Sequence, residues 1–268
     1  MTAAREDLAR RVASADTRYA LTDFNLIPGR DPEARPRAVD GATFVLAEPD
    51  AIPAIWGDGS GVVWAEGEGL MIVGPDGVGK TSLAQQLVLA RIDVRQLVLL
   101  DMEVKPAAGR VLYIAADRPR QAARSLRRMV QPRTTTAADD LERVEKGLRD
   151  RLTVWKGPLE FDITTEPKAL REFVDTFPDV SDVVIDSLKD LAPGLSDDVV
   201  GAQVNIAHQE VIAAGYELVV LHHQRKEQRG SGAPKRLSDV YGSRWLTAGM
   251  GSVILLWGDP GDLVVEFR

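Results

Sequence analysis

The sequence predicts an α/β fold built on a mainly parallel sheet, and three observations carry that expectation. Short apolar runs recur at Gly69–Val73, Val111–Ala115, Leu152–Trp155, Val183–Ile185 and Leu218–Leu221. Helical patterns separate most of these runs, and strands covered on both faces read as unbroken apolar stretches of this kind. At the end, Ser252–Trp257, the turn Gly258-Asp-Pro-Gly-Asp262 and Leu263–Phe267 read as two strands around a tight turn. That places an antiparallel hairpin at the C-terminal edge of the sheet.

Taken in order, residues 3–14 set Leu8 and Val12 four apart among charges, the spacing of a helix. The stretch through Pro28-Gly-Arg-Asp-Pro-Glu-Ala-Arg-Pro36 is rich in proline and charge and reads as a linker. Residues 1–42 are therefore expected to form a helix and linker, and 43–268 a single α/β domain. From Thr43 to Trp64 come short apolar pieces broken by Pro53 and Gly57-Asp-Gly-Ser-Gly61, with Trp56 and Trp64 read as core. Three helices follow from their apolar spacing. Thr81–Arg91 gathers Leu83, Leu87 and Val88; 119–130 gathers Ala122, Leu126, Met129 and Val130; 167–177 gathers Leu170, Phe173, Val174 and Phe177. There is no internal repeat.

Composition narrows the chemistry. The chain has 268 residues, enough to bury a core without metal or disulfide staples. It has no cysteine, which removes disulfides, thiol nucleophiles and Cys-ligated zinc together. Three histidines, two of them adjacent, leave little room for a His-based metal site. No apolar run approaches the roughly 20 residues of a membrane span, and the N-terminus lacks the apolar core of a signal peptide. A cytoplasmic location with no membrane partner is the expectation. The net charge of −7 argues against indiscriminate nucleic-acid binding but leaves room for a local basic channel.

The strongest motif is Gly74-Pro75-Asp76-Gly77-Val78-Gly79-Lys80-Thr81, with Ser82 after it. It fits G-x-x-x-x-G-K-[ST] between an apolar strand and an amphipathic helix, the context this motif requires. Glycines let backbone N–H groups wrap a polyphosphate, and the helix N-terminus adds a favourable dipole. Lys80 would reach the β- and γ-phosphates of ATP, and the Thr81 hydroxyl would ligate Mg²⁺. Gly74 through Ser82 are thus candidate ATP-binding residues.

Other strand tips add polar groups where α/β sheets build their sites. Val183-Val-Ile-Asp186 is an apolar strand ending in a carboxylate, a second candidate for holding Mg²⁺. Val111-Leu-Tyr-Ile-Ala-Ala-Asp117 ends the same way, and Leu218-Val-Val-Leu-His222-His223 delivers histidines. Lys80, Asp117, Asp186 and the pair His222 and His223 are the candidate catalytic groups.

The order P-loop, strand ending in an acid, Ile185-Asp186-Ser187-Leu188, Leu221-His222-His223-x-x-Lys226 and Tyr241-Gly242-Ser243 resembles the RecA-like ATPases. Within them it is similar to the RepA-type and DnaB-like replicative helicase ATPases, over residues 60–268. The resemblance implies a RecA-like P-loop core that assembles into rings or filaments, with ATP between subunits and single-stranded DNA as partner. It also implies that Asp186 is the Walker B acid and that His223 reports the γ-phosphate. At Asp117 the family usually has Glu, as base for the attacking water, so this chain departs by one methylene.

A site at a subunit boundary calls for a cation from the neighbour, and Lys226, Arg229 and Arg244 are the candidates. The polar stretch between Gln224 and Tyr241 supplies Arg225, Lys226, Arg229, Lys235 and Arg236, a candidate loop for tracking nucleic-acid phosphates. The arginines of 118–128 read as a solvated or interface face. The expectation is a Mg²⁺-dependent, helicase-like ATPase acting in DNA replication. Its rivals are an ATP-dependent assembly switch or loader with little hydrolysis and, more distantly, a P-loop kinase.

Overall fold

The computed structural model describes residues 38–59, 61–95, 97–131, 138–224, 236–237, 240–258 and 266–267. The helix read over 3–14 and the loop residues 225–235 lie outside them. The chain divides into two compact units, one ending at Pro53 and one beginning at Ala54. In the first, helix α1 (Gly41–Leu46) is capped by Asp40, whose carboxylate accepts from the Ala42 and Thr43 N–H groups at 2.9 and 3.0 Å.

The second unit opens with an antiparallel hairpin, β1 (Ala54–Asp58) and β2 (Gly61–Ala65). Then come β3 (Gly69–Gly74), α2 (Lys80–Arg91) and the short antiparallel pair β4 (Val98–Leu99) and β5 (Met102–Glu103). β6 (Arg110–Ala115), α3 (Pro119–Val130), α4 (Ala138–Arg151), β7 (Leu152–Lys156) and α5 (Ala169–Asp175) follow. The rest is β8 (Val180–Asp186), α6 (Asp198–Ala213), β9 (Glu217–His223), α7 (Trp245–Ala248), β10 (Met250–Trp257) and β11 (Glu266–Phe267).

The main sheet runs β11-β10-β3-β9-β8-β6-β7. Its neighbours from β10 to β7 pair in parallel, and β11 alone is antiparallel, through Leu256↔Phe267 and Trp257↔Glu266. The expected α/β class and the antiparallel C-terminal edge are both present. Alternation along the strands sends Leu70, Ile72, Tyr113, Val219 and Leu221 to one face, where they meet Leu87 and Val88 of α2. Met71, Val73, Leu112, Ile114, Val183 and Val220 go to the other, against Leu170 of α5 and Val204 and Val211 of α6. Each such fully buried side chain stabilises the fold by roughly 1.5–3 kcal/mol.

Trp56 and Trp64 are core, as expected, and their indole N–H groups donate to the carbonyls of Leu99 and Glu68 at 3.0 and 2.7 Å. The helix expected over 167–177 is shorter, because Thr176 caps α5 and its N–H donates back to Phe173. Helices α4 and α6 are elements that apolar spacing had not picked out.

Topology sets the site. The carboxyl ends of β3, β9, β8 and β6 lie side by side, in register at Gly74↔His223 and Ala115↔Asp186. The histidine-tipped strand therefore stands between the phosphate-loop strand and the strand ending in Asp186.

Candidate nucleotide site

The loop between β3 and α2 is shaped by glycine. Gly79 has φ 99° and caps the helix without a side chain, a conformation that L side chains rarely adopt. A Cβ on Gly74 would meet the Leu256 carbonyl and the Val78 methyl at 2.9 Å, so the strand leaves the sheet only as glycine. Val78 turns into the core, which anchors the loop from beneath. Gly74 and Pro75 face the site through their carbonyls, which accept from Lys80 Nζ at 2.8 Å each. Burial pushes the Lys80 ammonium down to about 8, with the Asp76 and Asp186 charges opposing that shift.

Thr81, on the first turn of α2, donates to Asp186 Oδ1 at 3.3 Å, and the Tyr113 hydroxyl donates to Asp186 Oδ2 at 2.5 Å. Gln85 holds Tyr113 in place from the next turn of α2, at 3.4 Å. Burial raises the Asp186 carboxyl above the ordinary carboxylate range, against the pull of those two hydroxyls and of Lys80. Burial and the same carboxylate drive the Tyr113 phenol well above its usual value, so it stays a donor.

His223 and His222 project to opposite faces of the sheet. His223 Nδ1 lies 3.1 Å from Asp76 Oδ1, on the loop side. Burial, helped by Lys80 and Lys189, lowers the His223 ring to about 4, so it is neutral at pH 7. His222 is buried on the other face, with Nε2 2.6 Å from the Tyr241 carbonyl. Strand alternation thus gives one histidine to the cleft and the other to the base of the loop that follows.

These groups line one cleft of about 610 Å³, within the range of small-ligand sites. Its walls include Asp76, Gly77, Gly79, Lys80, Thr81, Ser82, Asp117, Asp186 and His223. Asp117 is exposed, with Arg118 Nε 3.7 Å from its carboxylate. Arg118 itself has φ 46°, a left-handed conformation uncommon for a residue with a side chain. No cluster of three or more His, Cys, Asp or Glu side chains suited to a metal is present among the described residues. A hydroxyl and one carboxylate do suit Mg²⁺, which binds few protein ligands and completes its shell with water and substrate phosphate.

The family model for the AAA domain matches residues 30–229, well over half of the chain. The chain belongs to this family. Among solved structures, one isolated ATPase domain is similar at 13% identity and TM-score 0.47, over 76% of this chain and 77% of that one. A KaiC-like protein of the hyperthermophilic archaeon Pyrococcus horikoshii OT3 is similar at 15% identity and TM-score 0.49, over 82% and 88%. No curated protein matches the chain.

The AAA-domain match and the strand order agree with the RecA-like P-loop class expected from the motifs. In this AAA domain the cleft also takes in groups that sequence reasoning left out. Arg118 lines it from the N-cap of α3, Gln121, Ser125 and Arg128 line it from α3 itself, and Lys189 lines it from the turn after β8. Part of the α3 arginine face, read from sequence as solvated or interfacial, therefore fronts the cleft. The 118, 121, 125, 128 spacing marks one helical face and was visible, but nothing local says that this face meets the loop.

Arg244 is exposed at the start of α7 and is not among the cleft residues. Arg236 is exposed and has an interaction partner. Arg225, Lys226, Arg229 and Lys235 fall outside the described residues. No helix among the described residues is long and apolar enough to cross a membrane.

Proposed function

We propose that this AAA-domain protein is a Mg²⁺-dependent ATPase that hydrolyses ATP at boundaries between its own copies. Hydrolysis is coupled to binding or translocation of single-stranded DNA, as in replication. The observation that carries this reading is one cleft that gathers the phosphate loop, the Thr81–Asp186 pair, Asp117 and His223.

Thr81 and Asp186 would hold Mg²⁺, whose charge offsets that of the phosphates. The open N–H groups of the loop and of the first turn of α2 bind the triphosphate. Lys80 exchanges the Gly74 and Pro75 carbonyls for phosphate oxygens. Asp117 orients the attacking water and accepts its proton. His223 is neutral at pH 7 and exchanges its Asp76 partner for the γ-phosphate, which makes it a reporter of the nucleotide state. Its strand runs on into the basic loop, so a shift at the cleft has a short path to nucleic acid. Arg244 lies outside its own cleft and is the described candidate for the cation given to a neighbour.

One observation favours a second reading, an ATP-dependent assembly switch. Asp117 is shorter than the usual Glu and lies beside Arg118, and a displacement of about 1 Å costs on the order of 100-fold in rate. Steady-state ATPase assays with and without single-stranded DNA separate the two, with Lys80→Ala as blank. DNA-stimulated turnover supports the motor. ATP binding that depends on Lys80, with negligible turnover, supports the switch. A Lys80→Ala variant that binds and hydrolyses normally overturns both.

A further inference from the structure

Beyond the phosphate loop, the cleft contains a cation on a short hydrogen-bonded turn. The segment after Asp186 forms a single 3₁₀ turn, Leu188–Asp190. The Ser187 hydroxyl donates to Asp190 Oδ2 at 2.7 Å, and the Asp190 N–H donates to the Ser187 carbonyl at 3.1 Å. Leu188 and Leu191 on either side are buried in the core. Lys189, between them, is exposed and lines the cleft with Lys80, Thr81, Asp186 and His223.

The adjacent Asp190 carboxylate is occupied by Ser187. Among the described residues the Lys189 ammonium has no hydrogen bond or ion pair. Its charge acts on both Lys80 and His223, the two groups assigned to the terminal phosphate. Lys80 and Lys189 repel each other in a cleft where Asp76 and Asp186 act on Lys80, and a bound anion favours both ammonium groups. The other cleft cations differ in setting. Arg118 has Asp117 beside it, and Arg128 comes from the far end of α3.

We infer that Lys189 is a catalytic residue that contacts the γ-phosphoryl group of ATP from within the same chain. The inference rests on the ATPase reading above and deepens it. Part of the charge developing on the transferred group is then offset in cis, before any neighbour contributes a cation.

Equilibrium binding of a non-hydrolysable ATP analogue and of ADP, each with Mg²⁺, tests this in wild type, Lys189→Ala and Lys189→Arg. Lys189→Ala is expected to lose roughly 10- to 100-fold in affinity for the analogue, the scale of one charge-assisted contact. ADP affinity should stay within about twofold, which also shows that the variant is folded. Lys189→Arg should regain most of the loss. Equal weakening toward both nucleotides, or no change toward either, overturns the role given to Lys189 and leaves the ATPase reading standing. A wild type that binds neither nucleotide overturns the ATPase reading, and the inference with it.

Discussion

Asp182 and Asp186 stand four residues apart on β8 and face the same side, yet the protein treats them in opposite ways. Asp182 meets Arg91 at both oxygens, Nε to Oδ2 at 2.6 Å and Nη2 to Oδ1 at 3.1 Å. That pair is almost fully buried, and Ser181 donates to the same carboxylate at 2.7 Å. Among the described residues Asp186 accepts side-chain hydrogen bonds from the hydroxyls of Tyr113 and Thr81 and has no paired cation, Lys80 acting on it through charge alone. Helix α2 connects the two. Thr81 to Arg91 rises roughly 15 Å along a helix, and Asp182 to Asp186 spans roughly 13 Å along a strand. One end of the helix thus supplies a cation, and the other supplies a hydroxyl. A carboxylate that arrives with its own cation holds the fold together. One buried without it is a place where the protein leaves charge to a ligand.

The largest effect is expected at the compensated end. Arg91→Met strands the Asp182 carboxylate in the interior and should cost roughly 3–5 kcal/mol in chemical denaturation, the scale for a broken buried pair. A loss below about 1 kcal/mol would mean that the pair is ordinary surface chemistry.

At the other end the sign reverses. A carboxyl raised by burial binds its proton more tightly when folded, so stability falls as pH rises from about 3.8 through the higher folded value. Asp186→Asn removes that cost. The variant should melt a few degrees higher at pH 7 without nucleotide and lose Mg²⁺-dependent turnover.

His208 extends the comparison to a buried group that gives up its charge. It is fully buried, neither ring nitrogen has a hydrogen-bond partner among the described residues, and burial lowers it to about 4. The unfolded chain takes up a proton near pH 6.5 that the folded chain refuses, so stability is lost as pH falls from 6.5 toward 4. His208→Leu should raise the melting temperature at pH 5.5 by more than at pH 7.5. Equal gains at both pH values would show that the ring does not titrate on unfolding.

The smallest effect sharpens the open end. Tyr113→Phe takes one hydroxyl from Asp186 and raises its carboxyl further. Protons then compete with Mg²⁺ over a wider range, and the acid limb of the ATPase pH profile should move up. An unmoved limb would detach Tyr113 from the metal role proposed for Asp186.

Much of this arrangement was legible in the sequence, because it depends on local patterns. The unbroken apolar runs gave the buried strands, and the glycines and Lys80 gave the loop. Asp117, Asp186 and His223 could be placed because strand tips on one edge converge. The residues alone offered His222 and His223 as a pair, and the family resemblance pointed to His223, which the structure puts on the cleft side. Helix α6 was missed because apolar residues surround it. Val199 and Ile206 are exposed while Val204 and Val211 are buried, so no single stripe stands out. Helix α4 was missed for the opposite reason, since its sequence is mostly charged. Lys189 and Arg128 were beyond reach because their meeting with the loop is tertiary. The pairing of Arg91 with Asp182 spans 91 positions, and no local signal announces it.

The most direct test sets Asp182→Asn beside Asp186→Asn, with melting temperature measured without ligand and with Mg²⁺ and a non-hydrolysable ATP analogue. The two variants make the same chemical change at two points of one strand. Without ligand, Asp182→Asn should melt well below wild type and Asp186→Asn at or above it. With Mg²⁺ and the analogue, Asp182→Asn should keep the ligand-induced rise, and Asp186→Asn should lose the part that depends on Mg²⁺. An Asp186→Asn variant that is destabilised without ligand and keeps the full Mg²⁺-dependent rise would contradict the account.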